Sequence, residues 1–205
     1  VAQDYDSVLV RHPIHSGDTV YVPGGIIHSF GPDALLVFEV QQTSDLGSMV
    51  MPVDLYGRPH SEEQWHANIQ QTLDELKNDY HPRPNPGLIL CSGRNHRSFG
   101  CAGPYFALEC WSLVEPYTEP AHPCRCTTLT NVGDRVHIEY AGGTELLERG
   151  ESCILPAAIG EVNLIPTREA NLVVCYVPDL QQDVVEPLRS AGYTDEQIRT
   201  LGEVT

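Results

Sequence analysis

The stretch GDTVYVPGGIIH, Gly17 to His28, holds glycine, proline, glycine and histidine at the spacing G-x5-P-x-G-x2-H. The run between its first glycine and its proline, DTVYV, is β-branched and aromatic, the composition of a strand. Gly17 with Asp18 turns the chain into that strand, and Pro23 ends it because proline brings no amide donor to a ladder. Gly24 and Gly25 allow a sharp turn into the next strand. The arrangement aims His28 into the interior of a β-barrel. There an imidazole serves as a metal ligand or as a core histidine hydrogen-bonded to a neighbour.

Outward from this turn, SVLVRH and ALLVFEV also read as strands, separated by HSGD, PGG and FGPD turn clusters. Ser61 opens a helix with Gln64 as its capping-box partner. Trp65, Ile69, Leu73 and Leu76 follow on one apolar stripe, most simply used to pack on a barrel. NDYHPRPNPG (78–87) carries three prolines and a glycine, which makes it an extended connector and the best internal boundary. A second β-rich block follows: YFALECWSL, RCTTLT, RVHIEY, TELLE, SCILP, EVNLI and ANLVVCYV, at the short regular spacing of a barrel or sandwich. The tail is helical again, with Thr194 and Gln197 forming a second capping box. The expected organisation is a first β unit (1–60), a helix and linker (61–87), a second β unit (88–180) and a helical tail (181–205).

The 205 residues carry 28 Asp and Glu against 12 Lys and Arg, a formal net charge of −16. That balance argues against a nucleic-acid partner, because phosphate backbones are gripped by clustered Lys and Arg. It leaves small anionic substrates open, since those need only one or two local cations. A composition of 41% hydrophobic and 20% charged residues is that of a folded domain. No apolar run approaches the ~20 residues of a membrane helix. Seven cysteines at irregular spacings, several inside apolar runs and none in a CxxC pair, suit a reduced, cytoplasmic setting. Only Cys124 and Cys126 are close enough to suggest a soft-metal pair. The chain starts at Val1 with no leader pattern.

The G-x5-P-x-G-x2-H spacing is the second signature of the cupin barrels. It returns degenerately at Gly150, Pro156 and Glu161, without the second glycine or the histidine, which reads as a structural second barrel. VPGGIIHSF (22–30) and EVQQTSD (39–45) together resemble the C-terminal portion of class I mannose-6-phosphate isomerases. The resemblance implies a mainly β protein of two cupin-type barrels or jelly rolls, the first incomplete in this chain. It implies a zinc ion, or another divalent metal, with His28 as one ligand. It places Glu39 at an active-site acidic position and has Gln41, Gln42 and Asp45 line the same mouth against a small sugar or sugar phosphate. The implied reaction is aldose–ketose isomerisation, which needs a base and stabilisation of an enediolate charge.

This sequence departs from that family in three ways. Only 16 residues precede Gly17, and neither His12 and His15 nor their neighbours supply a Q-x-H-P or H-x-H ligand motif. A zinc site would therefore need ligands from an upstream segment or a second chain. The family's catalytic arginine aligns with Met49, which can neither bind phosphate nor stabilise an oxyanion; Arg58, in VDLYGRP, is the expected substitute. Arg11 is the only basic residue near the first barrel segment, so an unphosphorylated sugar is an open alternative. A non-catalytic sugar-binding or assembly subunit is the competing expectation. An iron-dependent cupin chemistry using His122, Cys124 and Cys126 is a third.

Overall fold

In the computed structural model, the residues described are Ser7, 9–31, 34–42, 50–54 and 56–204. They divide into two compact units. One joins the described part of Val1–Tyr21 to Arg83–Thr205, and the other is Val22–Pro82.

The larger unit contains ten strands: β1 (Leu88–Ser92), β2 (Asn95–Ala102), β3 (Ala107–Leu113), β4 (Tyr117–Glu119), β5 (Thr127–Asn131), β6 (Val136–Tyr140), β7 (Gly143–Leu147), β8 (Ser152–Leu155), β9 (Val162–Pro166) and β10 (Ala170–Tyr176). They form a six-stranded sheet in the order β1-β2-β3-β10-β5-β8 and a four-stranded sheet in the order β4-β9-β6-β7. The antiparallel pairs β3·β10, β4·β9, β5·β8 and β6·β7 nest inside one another like the two arms of one long hairpin. Successive pairs alternate between the sheets, with β3·β10 and β5·β8 in the larger and β4·β9 and β6·β7 in the smaller. This winding is the jelly roll used by cupins, and β1–β2 is a hairpin added to one edge. The mainly β expectation is met here in full.

The period-2 patterns that suggested strands are the ones that fill the core. In β5 the residues Thr127, Leu129 and Asn131 are buried and the two between are not, and β10 buries Leu172, Val174 and Tyr176 on one face. Trp111, Phe99, Leu113, Leu129, Leu164 and Leu172 are the largest fully enclosed strand side chains. The tail continues the same core. A π-helical segment (Leu180–Val185), α2 (Glu186–Ser190) and α3 (Asp195–Arg199) bring Leu188, Ile198 and Leu201 into it, and the Thr194–Gln197 capping box is present. Two strand regions were not expected. β1–β2 lacks alternation because β2 holds Arg97 in an internal ion pair, and β4 is three residues long between prolines.

Tyr21 belongs with this unit. Its ring packs 5.9 Å from that of Phe106, its hydroxyl donates to Glu203, and Thr19 pairs in the backbone with Asn85. Asn85 lies in the expected open connector, yet it is buried. Its amide donates to Thr200 and its carbonyl accepts from the Gly87 amide.

In the first 60 residues, which are divided between the two units, the outcome differs from the sequence expectation. The described residues of SVLVRH, DTVYV and ALLVFEV form no ladder; outside the named strands there are only isolated bridges, Thr19 to Asn85 and Val53 to Pro59 among them. Alternation tells which face a strand would bury, but a strand persists only where a neighbour takes its backbone groups. Among the described residues only the single Thr19–Asn85 bridge does so for these three runs, and Leu36 is fully exposed and Phe30 59% exposed. The helix α1 (Glu62–Glu75) forms with the expected Ser61–Gln64 capping box, and none of its residues is buried. Gly25 is required at the preceding turn. It has φ +85°, the Lys77 amide donates to its carbonyl, and an added Cβ would stand 2.3 Å from the Glu75 carbonyl oxygen.

Candidate functional site

His28 is exposed, with Nδ1 2.9 Å from the Ile26 carbonyl oxygen. A carbonyl only accepts, so this contact keeps the proton on Nδ1 and leaves the Nε2 lone pair outward, the tautomer a metal would use. Among the described residues no three His, Cys, Asp or Glu side chains gather as a metal group, so these residues do not by themselves fit zinc. Glu39, Gln41 and Gln42 are exposed. Asp45 and Met49 lie outside the described residues.

Arg58 is engaged locally. Its Nε donates to Asp54 Oδ2 at 2.7 Å, and its guanidinium lies 5.0 Å over the Tyr56 ring. Asp54 Oδ1 also accepts from the backbone amides of Tyr56 and Arg58. Those amide bonds, helped by the Arg58 side chain, hold the Asp54 carboxyl below its ordinary range. In the second block Cys124, Cys126 and Glu161 are exposed, and His122 is bonded to Glu119.

The jelly roll holds a polar constellation that motif reading did not find. Glu109, on β3, is completely buried. Its carboxylate accepts from Arg97 Nε at 2.9 Å, Arg97 Nη2 at 3.0 Å, Trp111 Nε1 at 2.7 Å and the Tyr176 hydroxyl. Arg97 reaches across from β2, the strand paired with β3, in the fork geometry that suits a carboxylate. Its Nη1 donates to the Tyr117 hydroxyl, which donates in turn to Glu119 on β4. Glu119 also accepts from Arg125 Nη2 at 2.9 Å and from His122 Nε2 at 3.0 Å, and Arg125 Nη1 reaches Asp183 at 3.0 Å. Burial works against the Arg97 charge, but the attraction and hydrogen bonds of Glu109 outweigh it and raise its pKa. Burial pushes the Tyr117 phenol up to about 12, and burial with the Glu109 charge pushes Tyr176 up as well. At neutral pH both phenols are therefore donors. The signal available in the sequence was a Glu inside the apolar run FALECWSL, which can lie inward only if a cation comes with it.

No family model matches the chain. A mannose-6-phosphate isomerase of Streptococcus mutans is 27% identical over 112 residues, covering 55% of this chain and 34% of that protein. The chain thus spans about a third of that relative's length. The chain is a cupin-type jelly roll with a weak sequence relationship to a mannose-6-phosphate isomerase. Among solved structures, the mannose 6-phosphate isomerase of Bacillus subtilis aligns with a TM-score of 0.47 at 15% identity, over 60% of this chain and 37% of that one. KdgF from Halomonas sp. aligns at 0.40 and 13% identity, over 44% of this chain and 86% of that one.

Proposed function

We propose that this chain is the C-terminal portion of a class I mannose-6-phosphate isomerase-like protein, acting on a sugar or sugar phosphate by aldose–ketose isomerisation. The observation that carries the reading is the 112-residue match to a mannose-6-phosphate isomerase. The VPGGIIH turn and the EVQQTSD run agree with it. In this reading His28 contributes one ligand through Nε2, and an upstream segment or a second chain supplies the rest of a zinc or other divalent-metal site. Glu39 handles the proton. Gln41, Gln42 and Asp45 contact the sugar hydroxyls. Arg58 serves as the cation near the reacting oxygens once its pair with Asp54 opens. Seven free cysteines support a reducing, cytoplasmic setting.

Metal analysis and turnover of mannose and mannose 6-phosphate by the intact protein test the proposal. Stoichiometric metal with turnover, both lost in His28→Ala, supports it. A full-length preparation with neither metal nor turnover removes it.

A second reading, a sugar-binding or assembly subunit without catalysis, is favoured by one specific pairing. Methionine stands where the family has its arginine, and the candidate replacement, Arg58, is already held by Asp54 at 2.7 Å. Metal-free full-length protein that still binds a sugar would select this reading.

A further inference from the structure

Two cavities in the jelly-roll unit share a wall made by Glu119, Pro120, His122 and Arg125. The larger, about 150 Å³, is also bordered by Arg97, Phe99 and Asp183; the smaller, about 20 Å³, runs toward Pro156 and Val162. Arg125 decides what the space can do. Its side chain is 9% exposed, its Nη atoms are taken by Asp183 and Glu119, and its guanidinium lies 4.2 Å over the Tyr176 ring. Its Nε is buried and has no hydrogen-bond partner.

We propose that this cavity is a binding site for a small uncharged polyhydroxy compound, of monosaccharide size or smaller. Charge excludes the obvious alternatives. The two guanidinium groups are matched by three carboxylates, those of Glu109, Glu119 and Asp183, so an anion would meet no surplus positive charge. A cation fares no better, because each carboxylate is already bonded to an arginine and no metal group gathers here among the described residues. What remains is a set of fixed donors and acceptors, over a floor in which Leu90, Phe99 and Pro187 supply apolar surface. Hydroxyl groups both donate and accept, and a ring's C–H face suits such a floor. Size fits the same conclusion, since drug-sized and cofactor ligands occupy roughly 300–1,000 Å³. The site belongs to the jelly roll alone and does not depend on the isomerase reading.

The test is a titration of the full chain carrying Trp65→Phe with D-mannose, myo-inositol and glycerol, and separately with inorganic phosphate. Trp111 fluorescence is the readout. The Trp111 indole donates to Glu109, which holds Arg97 at the cavity wall, so a ligand touching Arg97 changes the emission. Saturable binding of at least one polyol in the millimolar range is expected. Arg125→Lys, which keeps the charge but lacks the fork that holds Glu119 and Asp183 in place, should weaken it roughly ten-fold, equal to about 1.4 kcal/mol. Leu90→Phe, which narrows the cavity, adds no second tryptophan and leaves the arginine network untouched, should also weaken it, with the melting temperature of either variant confirming the fold. Several results overturn the proposal. One is no saturable response to any polyol up to about 100 mM, meaning the space holds water only. Another is tighter binding of phosphate than of every polyol. The last is polyol binding indifferent to both substitutions.

Discussion

Replacing Glu109 by alanine should be among the most damaging single changes available in the jelly roll. The carboxylate is 0% exposed and accepts from both arms of Arg97, from the Trp111 indole and from the Tyr176 hydroxyl. Alanine would leave a guanidinium only 23% exposed without its counter-charge, together with two buried neutral donors that have lost their acceptor. Removing one partner of a buried ion pair costs about 3–5 kcal/mol. The orphaned indole and phenol add to this, though not additively. Against a total of about 5–15 kcal/mol for a typical domain, that is about a fifth or more of the stability. At about 2–8 °C per kcal/mol, the melting temperature should fall by about 6–40 °C. Thermal and urea unfolding followed by circular dichroism would measure it. The double variant Arg97→Leu/Glu109→Leu should recover at least half of the loss, because no buried charge is left unpaired. A loss below about 1 kcal/mol in Glu109→Ala would refute the reasoning. So would a double variant as unstable as the two single changes added together.

Asn131→Ala should cost about 2–3 kcal/mol in urea unfolding. It deletes side-chain bonds to the Asp134 and Leu147 carbonyls and to the Gly133 amide at a fully buried position. Gly202→Ala should also destabilise. The residue has φ +137°, and a Cβ would stand 2.6 Å from the Ala102 carbonyl oxygen, so a melting temperature unchanged by the substitution would contradict the described close approach. Burial pushes the Cys101 thiol up to about 12, so in native protein a maleimide should label the exposed Cys91, Cys124 and Cys126 well before Cys101, as read by peptide mass spectrometry. Stability should fall on the alkaline side. Cys101 and Tyr117 have folded pKa values raised to about 12 from 9.0 and 10.0, so their contribution is complete below the unfolded values and is lost as pH rises through about 12. Unfolding free energies measured between pH 8 and 12 should decline most steeply above about pH 9, and a flat profile would refute the assignment.

Local patterning carried the jelly roll well. Seven of its strands follow from alternating β-branched and apolar residues, and both capping boxes, Ser61–Gln64 and Thr194–Gln197, follow from spacing alone. Strands whose interior residues are polar were illegible, because Arg97 in β2 is acceptable inside only through Glu109 twelve positions later, a pairing that depends on the fold. The segments around His28 and Glu39 show the opposite limit. Their patterning is strand-like, but pairing depends on backbone partners that a one-dimensional reading cannot supply. Arg125 and Asp183 are 58 positions apart and belong to no spacing rule.

The nested pairing has a temporal consequence. β10 lies between β3 and β5 in the middle of the larger sheet, so the central strand of that sheet is the last one to leave the ribosome. Until Ala170–Tyr176 has emerged, β3 and β5 have bare edges facing one another, and Leu188, Ile198 and Leu201 follow later still. Nascent chains stalled before this point should be sticky and protease-sensitive, and the finished domain should fold slowly, as topologies dominated by distant contacts do.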